Sequence, residues 1–124
     1  MPKRKNISVA QFDQDKFNEA VMYIAVRSEP DEAFGAVKLN KILYYADFTA
    51  YRRLGTPITG ATYFKLNEGP APRQMLPSRA MMLDLGWIEL QARPYFTGVQ
   101  QRVVVRPELR EQALNPRYLS PEEV

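Results

Sequence analysis

Lys65 and Glu68 stand three residues apart in FKLNEGP, a spacing at which an ammonium and a carboxylate could pass a proton between them. Two solvated surface charges account for the same residues more simply. Beyond them the means for catalysis thin out quickly. The chain has no histidine, the side chain that most often serves as general base or metal ligand near neutral pH. It has no cysteine either, which removes thiol nucleophiles, thiolate metal sites and a disulfide framework together. Carboxylate, lysine, serine and tyrosine chemistry remain, but in no recognisable constellation, and there is no glycine-rich phosphate loop. These residues point away from an enzyme, a cofactor or a bound metal and towards recognition.

The side chains suited to recognition are gathered in KLNKILYYADF, Lys38 to Phe48, which sets two adjacent tyrosines among two lysines in a stretch of good helix formers. Turning each residue by about 100° places Leu39, Ile42, Leu43, Ala46 and Ala50 in one arc, a core-facing stripe. Tyr44, Phe48 and Tyr51 fall on the opposite side at i, i+4 and i+7. Lys38, Lys41, Tyr45 and Arg52 form a basic seam along one edge, and Asn40 and Asp47 mark the other. Two readings compete. The helix is central and covered on both sides, with the phenolic hydroxyls at the edge of the core, or its aromatic face docks a partner, since tyrosine and arginine supply much of the energy at protein interfaces. The candidate partner-binding residues are Lys38, Lys41, Tyr44, Tyr45, Phe48, Tyr51 and Arg52.

The element that must hold these residues starts near Ala36. It ends at Gly55, where a left-handed C-cap is wanted, after Arg52 and Arg53 in a last turn that favours positive charge. Before it, a helix capped by Asp13 or Asp15 runs to about Ser28, with Phe17, Ala20, Val21 and Ile24 on one face. Pro30 and Gly35 close that helix and open the next. After Gly55, Thr62 to Leu66 read as one short strand, and Pro70, Pro72 and Pro77 stiffen the segment beyond it. Pro77 suits the first turn of a short helix ending at Gly86. WIELQARPYF and VQQRVVVRP then flank Thr97 and Gly98 as a β-hairpin, with Pro94 marking an edge strand or a break. Ser120, Pro121 and Glu123 take the positions of a capping box, announcing a helix whose body is not in the sequence.

At 124 residues, 45% apolar and 25% charged, the chain has the make-up of one folded α+β domain, mainly helical with a short strand and a C-terminal hairpin. Residues 1–12 form a basic polar tail and residues 13–124 the domain. The net charge of +3 is spread over Lys3, Arg4, Lys5, Lys38, Lys41, Arg52, Arg53, Arg102 and Arg106, too diffuse for a nucleic-acid footprint. No apolar run approaches the roughly 20 residues that span a bilayer, and no apolar stretch follows the basic opening, so a cytoplasmic location is expected.

KLNKILYYADFTAYRRLGTPITG followed by FKLNEGPAP resembles the Panacea domain of the SocA-like antitoxins, whose signature is a K-L-x-K-[IL]-L-Y-Y-A helix, a G-x-P turn and a strand ending in Gly-Pro. Lys38, Leu39, Lys41, Ile42, Leu43, Tyr44, Tyr45 and Ala46 match the first element, Gly55 and Pro57 the second, Gly69 and Pro70 the third. Glu68 stands where the family often has an aromatic residue. The resemblance implies the antitoxin component of a toxin-antitoxin system, bacterial or from a phage. Such a domain is non-catalytic and neutralises a cognate toxin by direct contact, and one branch acts as a proteolytic adaptor that delivers the toxin to a AAA+ protease. It also implies a further C-terminal helix, which this sequence lacks. Self-association into a homodimer is left open. The rival reading is a winged-helix-like DNA-binding module, with Arg102 and Arg106 on a wing aimed at a minor groove. Against it, a strand separates the two helices that a helix-turn-helix would place side by side.

Overall fold

The computed structural model describes residues 11–95 and 98–123. Lys3, Arg4 and Lys5 lie outside that range, as does Thr97 of the expected hairpin turn.

Helix α1 (Gln14–Arg27) begins at Asp13, whose extended backbone lets its carboxylate accept the Lys16 N–H at 3.0 Å. Asp15 in the first turn and Arg27 in the last complement the helix dipole. Its Phe17, Val21 and Ala25 face the core. Helix α2 (Ala36–Leu54) stops at Gly55, where φ is +85°, a conformation that a Cβ disfavours, and the Gly55 N–H closes on the Tyr51 carbonyl. Leu39, Leu43 and Ala50 of α2 are buried, with Ile42 and Ala46 partly so.

One strand was expected after α2, and the structure contains two. β1 (Tyr63–Leu66) pairs antiparallel with β2 (Gly69–Pro72), with Leu66 opposite Gly69 and Tyr63 opposite Pro72. The segment read as a proline-stiffened connector is thus half of a hairpin. The parity of the ladder explains why proline is tolerated. The Arg73 N–H donates to the Thr62 carbonyl at 2.7 Å, so the inward-bonding positions are Thr62, Phe64 and Leu66 against Arg73, Ala71 and Gly69. Pro70 and Pro72 fall between them, where an N–H would point away from β1 and none is missed.

Helix α3 (Met75–Asp84) carries Pro77 in its first turn and buries Met75 and Met82. β3 (Ile88–Tyr95) and β4 (Gly98–Val105) form the second hairpin. Pro94 does not break it: opposite Val99 it occupies a position that does not bond across the pair, as the Arg106 N–H to Trp87 carbonyl bond fixes. A 3-10 turn (Pro107–Leu109) and α4 (Arg110–Leu114) complete the order. The described residues therefore form a small α+β domain of four α-helices and two two-stranded antiparallel sheets. Its main core joins Phe17 and Val21 of α1, Phe34 of the first loop, Leu39 and Leu43 of α2, Met82 of α3, and Ile88 and Val103 of the second hairpin.

The C-terminal segment is a strap rather than a helix. The Glu123 carboxylate accepts the Ser120 N–H at 2.8 Å, so half of the capping box is formed, and it also meets Lys16 Nζ at 2.9 Å. One turn upstream, the backbone N–H groups of Arg117, Tyr118 and Leu119 all donate to the Glu19 carboxylate. Both acids tie the tail to α1, and Leu119 is buried against Ala50 and Ile58.

Candidate protein-docking site

α2 presents its flank through side chains that its own periodicity sends away from the core. Tyr45 is 63% exposed, Phe48 48% and Tyr51 53%. Moving large aromatic surface from water into contact with a partner is favourable. The rings are ordered by each other. Tyr44 is half-buried, with its ring edge-on to Tyr45 at 5.6 Å and stacked with Phe48 at 6.1 Å between centroids. The guanidinium of Arg52 lies 5.9 Å from the Phe48 ring centre, a cation-π arrangement one helical turn on. Beside Tyr45 runs a groove between α2 and the tail, with Ile42, Ala46, Ala50 and Ile58 along it.

The basic residues divide. Lys38, at the start of α2, forms an ion pair with Asp31 in the preceding loop. The hydrogen bond from Lys38, aided by the Ala33 N–H, holds the Asp31 carboxyl below its usual range. Lys41 is exposed but lies over the first hairpin: a Cβ on Gly69, whose φ is +138°, would come within 2.9 Å of the Lys41 side chain. Arg52 remains beside Phe48. From Lys38 to Arg52 the face is about 21 Å long at 1.5 Å per residue.

Tyr44 lies away from the main core stripe, as the wheel suggested, but that side of the helix is not left in water there. The first hairpin folds over that flank, and the Tyr63 ring meets Tyr44 edge-on at 5.3 Å. Tyr44 thus props up the exposed rings and is itself largely covered. Asp47, expected at an edge, is buried. Its carboxylate accepts the Thr59 N–H at 2.8 Å, the Thr59 hydroxyl at 2.6 Å and the Tyr63 hydroxyl at 2.6 Å. Burial, followed by the neighbouring Asp47 charge, pushes the Tyr63 phenol far above its ordinary pKa, so it remains a donor. Thr59 and Tyr63 escaped the sequence reading because their shared partner is distant in the chain. Asp47 did carry a signal, since it continues the i, i+4 spacing of the buried Leu39 and Leu43.

Arg102 occupies no wing. It is 4% exposed, and its guanidinium donates to the carbonyls of Phe34 at 3.0 Å, of Glu29 at 3.2 Å and of Asp31, against the face of the Phe34 ring. Burial lowers its pKa from the ordinary value. Arg106 is engaged by Glu89 and Glu108. Of the two arginines that suggested a minor-groove contact, Arg102 is therefore committed within the chain, while Arg106 stays at the surface in ion pairs with exposed glutamates. Lys65 and Glu68 are both exposed, and no cluster of histidine, cysteine or acidic residues suited to a metal occurs among the described residues. Nor is any described helix long and apolar enough to cross a membrane.

Residues 39–94 match the model of a family described as antitoxin SocA-like, Panacea domain. The match runs from near the start of α2 through the first hairpin and α3 to the penultimate residue of β3. No curated protein and no solved structure matches the chain.

Proposed function

We propose that this chain is the antitoxin of a toxin-antitoxin pair and neutralises its toxin by direct, non-catalytic contact through the outer flank of α2. Tyr45, Phe48 and Tyr51 are the anchors, Arg52 and Lys41 supply charge at the rim, Tyr44 supports the rings from behind, and Lys38 fixes the helix start. The observation that carries this reading is the run of three exposed aromatic side chains on one helix inside the span matched by an antitoxin-domain model. Exposed aromatics next to a cation are the side chains that most often dominate binding energy when a partner desolvates them. Capture of this kind suits delivery to a AAA+ protease as well as simple occlusion, and the two differ in whether the toxin is degraded. The test is co-purification with the protein encoded next to this gene, together with rescue of growth when both are expressed. Association and rescue are the expected results, and both should be lost in a chain carrying Tyr45→Ala and Phe48→Ala that remains folded. A neighbouring product that neither binds nor inhibits growth overturns the reading.

A further inference from the structure

The first hairpin has two unlike edges. On the β2 side the outward positions are Pro70 and Pro72, which have no N–H to offer, so that edge cannot extend the sheet. On the β1 side the outward positions are Tyr63 and Lys65, whose N–H and C=O groups point away from β2, and among the described residues no strand lies beyond them. Phe64 and Leu66 are both exposed on this strand. Helix α2 packs against β2 and meets β1 through the Tyr63 side chain, and no other described strand pairs with β1.

We infer that β1 is a self-pairing edge through which two copies of this chain join into a continuous four-stranded antiparallel sheet. The strand is complementary to itself about Phe64. An antiparallel second copy in that register sets Tyr63 against Lys65 of the second copy and Lys65 against its Tyr63. Both are pairs that exchange two backbone hydrogen bonds, so the four outward donors and acceptors are satisfied. Phe64 then faces Phe64 of the second copy at the closely spaced position, and Leu66 faces Thr62. Lys65, the one charged residue of the strand, meets a tyrosine ring rather than another lysine, so the pairing brings no like charges opposite one another. The proline edges lie outermost in the pair, which stops growth at two copies and keeps the assembly from becoming a fibre. A strand of four residues buries less than the ~1,200 Å² of a durable complex, so the pairing is concentration-dependent. It uses a different surface from the α2 flank and does not rest on the toxin-binding reading.

The test is sedimentation of the purified full chain over a wide concentration range, with amide hydrogen exchange measured at both ends. The mass is expected to rise towards twice that of the monomer, and the amides of Tyr63 and Lys65 to gain protection only as it rises. Lys65→Pro removes one outward donor from each copy while sparing the inward bonds of Phe64 and Leu66, and should weaken association at least about tenfold. A chain that stays monomeric at every concentration overturns the inference. So do Tyr63 and Lys65 amides protected equally at all concentrations, which would mean that the chain covers its own edge, and so does a folded Lys65→Pro variant that pairs as well as the parent. A foreign strand that takes the edge of an otherwise monomeric chain also overturns it.

Discussion

The Tyr63 hydroxyl donates to Asp47 Oδ2 at 2.6 Å, joining the C-terminal half of α2 to the first residue of β1 across sixteen positions of sequence. That bond and the two from Thr59 fix where the first hairpin sits on α2, and so which aromatic rings it covers and which it leaves in water. Tyr44 is covered; Tyr45, Phe48 and Tyr51 are not.

Tyr63→Phe removes one donor from a buried carboxylate and should destabilise the fold by about 1–3 kcal/mol. Asp47→Ala should cost more, because it also strands the Thr59 hydroxyl and N–H. Denaturant melts of the two single variants and the double variant measure the coupling. If the effects are additive, the Tyr63 bond contributes nothing specific.

On the docking flank, Tyr45→Ala and Phe48→Ala should each change stability by no more than about 0.5 kcal/mol, as expected for exposed positions. An anchor residue removed from a toxin interface should weaken binding by about 2 kcal/mol or more. Tyr44→Ala should behave differently and lower the melting temperature, since its ring packs between Phe48 and Tyr63. Calorimetric titration with the toxin beside thermal melts separates the two classes. If Tyr44→Ala proves stability-neutral while Tyr45→Ala unfolds the chain, this assignment of the rings is overturned.

Arg102→Ala leaves three carbonyls without their shared donor and should destabilise by about 3 kcal/mol. Arg102→Lys should recover little of this, because an ammonium cannot span the three acceptors as a planar fork does. Gel shifts at low salt should show no loss of nucleic-acid binding attributable to this residue. A folded Arg102→Ala chain that loses DNA affinity would return the winged-helix reading to consideration.

At Glu123, burial works against the charge, but the Ser120 N–H and Lys16 outweigh it and hold the carboxyl below its ordinary value. A folded-state pKa below the unfolded one stabilises the strap above the unfolded value and loses that contribution as pH falls through the folded value. Acid should therefore release residues near Ser120 before the core opens, read as loss of the Ser120 amide shift in NMR spectra. Lys16→Met should move that midpoint upward, and an unmoved midpoint would rule Lys16 out as the cause.

Local chemistry determined much of this protein without help from the fold. Asp13 and Gly55 bound their helices because capping needs only neighbouring backbone, and Gly98 and the β-branched residues from Ile88 to Val105 mark a hairpin at short range. The absence of histidine and cysteine limited the chemistry, and KLNKILYYADF pointed to a family whose model matches residues 39–94. Tertiary structure alone decided the rest, because helical periodicity gives the angle of a side chain but not what stands opposite it. The packing of a hairpin over one flank covered Tyr44 and buried Asp47. Paired strands gave Pro70 and Pro72 a place in a ladder, and the loop carbonyls around Phe34 drew Arg102 inward. Apart from the proline ladder, whose two strands adjoin in one hairpin, each of those outcomes is a contact between segments far apart in the chain, whose energy depends on the geometry of both.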